Sequence, residues 1–269
     1  MNNWTDLRIR VLSVLALLPF VLIEIWLGGA WYAVFACSLG VIMALEFTNI
    51  AYGSDTRQFA FHVMAVVSSI FMLDKISVTE LAILLTGLML ISILITRQSL
   101  NFWKIMGIPY ITLPLLALIA LRADNQWGLP AIIWCVAVVW AADTFAYFAG
   151  RLIGGPKLAP KLSPKKTWAG LGGALIGSAL ASAVFAVLAD LRFGPLLLAA
   201  LGLAVVEQGG DILESAFKRA HGVKDSGDLI PGHGGVLDRV DGLMAAVFAA
   251  FVIGYLHNSE SAAAGLLLW

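Results

Sequence analysis

An all-α, polytopic membrane helix bundle of about nine transmembrane helices is the fold class this sequence predicts, and three observations predict it. Of its 269 residues, 60% are hydrophobic and only 13% charged, and the mean hydropathy is +0.91. That is more apolar surface than a soluble domain of this length can bury. The apolar residues are gathered into runs of membrane-spanning length, bounded by charges, glycine or proline. The runs lack sustained period-two alternation, which argues against membrane strands. A formal net charge of zero and a pI near 6.9, with no basic tail or aromatic-basic ladder, give no reason to expect a nucleic-acid partner.

The first run, 9–27, follows Arg8 and Arg10. It is long and lacks a small-residue cleavage site, so it is read as a span rather than a signal peptide. Runs at 30–52, 59–73, 79–96 and 105–121 follow, with 59–73 the shortest. Glu24 and Glu46 have no motif around them and are read as interfacial or bundle-paired acids, and His62 as a helix-packing histidine. Cys37 and Cys135 sit inside apolar runs without a second thiol or histidine nearby, as small core residues do. The chain is expected to be one integral membrane domain, 1–269, in which 1–128 shapes the bundle and a lipid cavity and 129–257 is the catalytic portion.

The sixth run, 129–149, carries Asp143. A carboxylate left in lipid there costs about 2.5 to 3.5 kcal/mol, so Asp143 is expected to face a polar cavity or a partner. The polar connection that follows, within a cytoplasmic loop 150–169, holds three prolines, two glycines and five basic residues without an acid between Arg151 and Trp168. Such a composition forbids a simple helix. Arg151, Lys157 and Lys161 suit an anionic lipid surface or a substrate equally well. The seventh run, 170–190, places Gly173, Gly177 and Ala181 at four-residue intervals, a face for close helix packing, within a subunit in preference to between two. Runs at 193–217 and 240–257 complete the set, and Gly265 to Trp269 is expected to be a short apolar tail at the far interface.

With nine spans the termini lie on opposite sides, and fourteen of the 17 basic residues fall on the N-terminal side. By the positive-inside rule the N-terminus and the charged loops, 150–169 and 218–240, face the cytoplasm.

Between Glu207 and Gly242 the chain changes character. Glu207, Asp211 and Glu214 fall at i, i+4 and i+7, close to one helix face, and Asp238 and Asp241 form an i, i+3 pair on the next helix. Several carboxylate oxygens focused together suit Mg²⁺, which leaves coordination positions to substrate phosphates. Lys218, Arg219, Lys224 and Arg239, interleaved among them, are phosphate-binding candidates. Pro231-Gly232-His233-Gly234-Gly235 lies between the two carboxylate groups, and its glycines let backbone N–H groups close on a phosphate. The arrangement points to phosphate transfer, against the simpler reading of a tight turn with Glu214 and Lys218 as an ordinary i, i+4 pair. The chain has no Walker-type loop, so any nucleotide is held by another device.

Ser215-x-Phe217-Lys218-Arg219, then Lys224-Asp225-x-Gly227, then Ile230-Pro231-x-His233-Gly234-Gly235-Val236-x-Asp238-Arg239-Val240-Asp241 resembles the signature of the phosphatidate cytidylyltransferases over 27 unbroken positions. Ser163-Pro164-Lys165-Lys166-Thr167 resembles a second block of that family, and Asp143-Thr144 a third, although Phe145 stands where glycine is expected and Ala169 where an acid is. The resemblance implies transfer of a cytidylyl group from CTP to phosphatidic acid, giving CDP-diacylglycerol and pyrophosphate. It also implies an integral protein of the bacterial inner membrane with a cytoplasmic site, Mg²⁺ with a second metal ion as an open question, and a homodimer. Asp211, Asp238 and Asp241 are then the expected metal ligands, with Asp143 a further candidate. Lys218 and Arg239 join these acids as catalytic candidates. Ser163, Lys165, Lys166, Thr167, Lys218, Arg219, Lys224, His233, Gly234, Gly235 and Arg239 are expected to meet the phosphates.

Other readings are weaker. CDP-alcohol phosphotransferases need an Asp-Gly-x-x-Ala-Arg run, which Asp241-Gly242-Leu243-Met244-Ala245-Ala246 begins but does not complete. A CTP-dependent lipid kinase or a synthase for archaeal-type lipids shares the broad design. A transporter lined by Glu24, Glu46, Asp143 and Glu207 would place charge at the midplane of broken helices, whereas here it gathers in two connections.

Overall fold

The computed structural model describes residues 3–96, 100–232 and 234–269. Helices form where the apolar runs lie: α1 (Asn3–Leu27), α2 (Gly29–Tyr52), α3 (Thr56–Met72), α4 (Val78–Ile95), α5 (Phe102–Ala123), α6 (Gly128–Leu152), α7 (Trp168–Leu188), α8 (Phe193–Ala220) and α9 (Leu237–His257), followed by a short α10 (Ala262–Leu267). Among the described residues, six of these, α2 and α5 to α9, are long and apolar enough to cross a membrane. The protein is therefore an all-α integral membrane protein, but six helices and not nine meet that standard. With 17 residues, α3 is about 25 Å long, short of the hydrocarbon thickness of about 30 Å.

The chain divides into two compact units. The first comprises Met1–Ile119 and Ala220–Arg239. Its helices begin and end on recognisable signals: Gly53 closes α2 in the left-handed conformation, at φ 66°, Asp55 caps α3, and Ser77 with Glu80 forms a capping box on α4. Each satisfies backbone groups that a helix end leaves open. Ala65, Leu85, Ile108 and Leu116 form an apolar core. Gln58 ties α3 to α4, donating to the Ser92 carbonyl and to Thr96 Oγ1 and accepting from Ser92 Oγ at 2.6 Å. His62 packs between Phe47 and Tyr52, its Nδ1 2.8 Å from the Gln58 carbonyl.

The second unit comprises Ala120–Arg219 and Val240–Trp269. Here the small residues of α7 pack against α6: a Cβ at Gly173 would lie 2.5 Å from the Phe145 carbonyl, and one at Gly177 2.5 Å from that of Ala141. The close approach expected of a glycine at 145 is thus supplied by glycines of the facing helix. The connection after α6, where the composition excludes a simple helix, forms a two-stranded antiparallel ribbon, β1 (Lys157–Ala159) and β2 (Ser163–Thr167), paired Lys157 with Thr167 and Ala159 with Ser163. A ribbon leaves each strand one open edge, where Pro164 needs no N–H. Thr167 then caps α7, its Oγ1 accepting from Gly170 N at 3.0 Å. The C-terminal residues also depart from the expected tail: Ser261 caps α10, which packs on α6 and buries Ala262, Ala263, Leu266 and Leu267, and Trp269 stacks on His257.

Candidate active site

In the second unit, acids and lysines converge from α6, β2, α8 and α9. Asp143 of α6 meets Glu207 of α8 carboxylate to carboxylate, and Glu207 is only 1% exposed. Two carboxylates in contact are held by a shared proton or by a cation. Gln208 donates to Glu207 Oε2 at 2.9 Å and accepts from Lys166 Nζ at 2.9 Å. Lys166, at the end of β2, also pairs with Asp211 Oδ2 at 2.5 Å. Asp241 of α9 lies within the electrostatic reach of Asp211, Lys218 and Lys166. One turn after Asp211, Glu214 is buried and pairs with Lys218 at 2.5 Å, the ordinary i, i+4 partner that sequence spacing allowed.

Two glycines make this convergence possible. A Cβ at Gly210 would lie 2.6 Å from that of Ala245 and 3.1 Å from the Asp241 carbonyl. A Cβ at Gly242 would lie 3.0 Å from Glu207 Oε1. Bare backbone at both points lets α8 and α9 approach closely enough for Asp211 and Asp241 to sense each other. Ser163 and Lys165 lie on β2, with Lys165 exposed, and Thr167 uses its hydroxyl to cap α7.

In the first unit, the glycine-rich segment is a closed loop. The Ile230 N–H donates to the Gly234 carbonyl at 2.9 Å, and Gly232 and Gly234 hold φ of 76° and 84°, a region that favours glycine. Asp238, in the first turn of α9, accepts from Ser226 N at 2.8 Å and Gly235 N at 3.0 Å through one oxygen, Oδ2. The Gly235 amide that was expected to face a phosphate is therefore given to Asp238. Glu46 of α2, which the sequence suggests is an interfacial or bundle-paired acid, accepts from Ser226 Oγ and from the Val236 and Leu237 amides. Lys224 and Arg239 are exposed, as is Arg219 in the second unit, while His233 lies outside the described residues.

Local spacing missed Gln208 and Glu46 as site residues; it set Glu207 on one helix face with Asp211 and Glu214 but did not name it among the ligands.

The donor set is hard: carboxylate oxygens with lysines between them. Among the described residues no three His, Cys, Asp or Glu side chains gather as an ion cage. Hard oxygen donors suit Mg²⁺, which is usually held by one or two protein carboxylates together with substrate phosphates. Asp211 and Asp241 fit such a pair, and the ammonium of Lys166 supplies positive charge beside Asp211.

The cytidylyltransferase family profile matches residues 8–257. Among similar proteins, the phosphatidate cytidylyltransferase of Brucella abortus is 38% identical over 258 residues, covering 93% of this chain and 94% of that protein. The phosphatidate cytidylyltransferase of Pseudomonas aeruginosa is 36% identical over 263 residues, covering 91% and 97%. That of Bacillus subtilis is 35% identical over 195 residues, covering 70% of each.

Proposed function

This chain belongs to the cytidylyltransferase family, and from that premise we infer that it transfers the cytidylyl group of CTP to phosphatidic acid, giving CDP-diacylglycerol and pyrophosphate for phospholipid synthesis. The observation that carries the reading is the similarity, along nearly the whole chain, to proteins named phosphatidate cytidylyltransferase. The site agrees with it chemically. A phosphate oxygen of phosphatidic acid attacks the α-phosphorus of CTP, a P–O bond forms, and the bond from that phosphorus to the bridging oxygen breaks to release pyrophosphate. The nucleophile is already ionised at neutral pH, so a dedicated base is unnecessary. Two polyanions must instead be held together against their repulsion.

Lys166 and Lys218 are proposed to neutralise phosphate oxygens, Lys166 while holding Asp211 in place. Lys165, Arg219, Lys224 and Arg239 supply further positive charge from exposed positions. Asp211 and Asp241 would hold Mg²⁺; Asp238 is kept as an alternative ligand on its i, i+3 sequence spacing from Asp241. When bound, the ion would neutralise charge that develops on the phosphoryl oxygens. Asp143 acts through Glu207, as its partner.

Nine spans with a cytoplasmic N-terminus and a cytoplasmic site in the inner membrane remain our proposal, supported by the asymmetry of basic residues and the cytoplasmic supply of CTP. A homodimer is proposed on family resemblance alone, because the small-residue face of α7 is occupied by α6 within the subunit.

The test is pyrophosphate release by purified protein in detergent with CTP, Mg²⁺ and phosphatidic acid. Wild type is expected to release pyrophosphate only when lipid is present, and Asp241→Asn to lower the rate on the order of 100-fold or more. Label from the γ-phosphate of CTP appearing in the lipid would instead mark phosphoryl transfer and sink the reading.

A further inference from the structure

Glu46 sits on α2, about two turns before the end of that helix, in a part of the chain where no motif marks it. The residue is 5% exposed. Oε1 accepts from the Val236 N–H at 2.8 Å, and Oε2 accepts from the Leu237 N–H at 2.8 Å and from Ser226 Oγ at 3.0 Å. The surrounding backbone is stripped to make room. A Cβ at Gly235 would lie 2.7 and 2.8 Å from the two Glu46 oxygens, and one at Gly227 would lie 3.1 Å from Oε1.

We propose that Glu46 is a positioning residue for cytidylyl transfer, holding the 224–236 loop and the first turn of α9 so that Asp238, Lys224 and Arg239 are presented in working geometry. The inference rests on the reaction proposed above and adds to it a residue nearly 200 positions away in the chain. Its physical basis is an interlock of two carboxylates. Ser226 gives its N–H to Asp238 and its hydroxyl to Glu46. Gly235 gives its N–H to Asp238, and the next amide, that of Val236, goes to Glu46. Both sides of the loop are therefore fastened twice, and Asp238 keeps its orientation only while Glu46 keeps Ser226 and Val236 in register.

The site also suits an anion. The first amides of a helix have no acceptor within the helix, and the positive end of its dipole lies there. A carboxylate on the Val236 and Leu237 amides satisfies both demands with charge-assisted bonds. A glycine-rich segment has little side-chain packing of its own, so these bonds add directly to its order.

The experiment compares wild type with Glu46→Gln, Glu46→Ala and Ser226→Ala, purified in detergent. Two readouts are taken: kcat for lipid-dependent pyrophosphate release, and hydrogen exchange in peptides covering 224–239 and, as reference, α7. Glu46→Ala is expected to lower kcat on the order of 100-fold and to speed exchange in 224–239 while α7 matches wild type. Glutamine keeps the shape but replaces one acceptor by an N–H₂ group that confronts a donor. Glu46→Gln is therefore expected to lose at least about tenfold, the effect of one charge-assisted hydrogen bond, yet to retain more activity than alanine. Ser226→Ala removes one of the three donors and should fall between glutamine and wild type.

A glutamine variant equal to wild type in both readouts would leave Glu46 a matter of shape and overturn the proposal. So would unchanged exchange in 224–239, or exchange that rises equally in α7. If the alanine variant does not fold, Glu46→Gln and Ser226→Ala decide the matter by the same criteria. Should wild type itself release no pyrophosphate, the reaction is misread, while the exchange data still decide whether Glu46 orders the loop.

Discussion

At the scale of single residues, the carboxylates of this chain divide by what they touch. Asp211 meets a lysine, Asp143 meets Glu207, and Glu46 and Asp238 meet backbone amides. Asp124, between α5 and α6, accepts from the Gln126 and Trp127 amides at 2.8 and 2.6 Å and from Ser261 Oγ at 2.5 Å. Burial pushes its carboxyl up, but the hydrogen bonds from Ser261, Trp127 and Gln126 outweigh that and hold it below the ordinary value of 3.8. A carboxyl lowered on folding contributes stability that is complete above the unfolded value and fades as pH falls through the folded one. Ser261→Ala is therefore expected to cost about 1 kcal/mol near neutral pH, and the difference from wild type to shrink below about pH 4. Unfolding midpoints measured across that range check both the size and the sign.

At the scale of elements, contact between α6 and α7 is made by absence of side chains. Gly173 and Gly177 bring the helices together, and Ala142, Ala174 and Ala204 continue a core of small residues. Gly177→Ala forces a methyl group against the Ala141 carbonyl and the Phe145 side chain, and overpacking of this kind costs about 1 to 3 kcal/mol. Gly172, on the same helix, has nothing within 4 Å of an added Cβ. Gly172→Ala should be neutral or stabilising by up to about 1 kcal/mol, because alanine favours a helix. Thermal unfolding of both variants in one detergent separates close packing from helix propensity. The small-residue spacing of α7 was legible in the sequence, whereas its partner was not. The β1–β2 ribbon was less legible still, since prolines and glycines declare only that a helix is excluded.

At the scale of the whole molecule, the question is how many of the long helices cross the membrane. If α3 and α4 both span, Asp55 and Asp74 lie on opposite faces; if neither does, on the same face. After replacement of the free thiols Cys37 and Cys135, single cysteines at 55, 74, 161 and 190 can be labelled with an impermeant maleimide in cells and in inverted vesicles. The nine-span reading predicts labelling of 55 and 161 from the cytoplasmic side and of 74 and 190 from the other. Labelling of 55 and 74 from one face would overturn it. Hydropathy and the grouping of charges are local properties, so the chain read alone reveals a helical membrane protein, the approximate limits of its long helices and the motif from Ser215 to Asp241 that marks its family. Partnerships between distant residues were left to the tertiary structure: Glu46 with Ser226, Val236 and Leu237, Lys166 with Asp211, and Asp143 with Glu207. The physical reason is reach. Periodicity relates residues a few turns apart along one helix, whereas a carboxylate is satisfied by whichever donors folding brings within about 3 Å, however far away they lie in the chain.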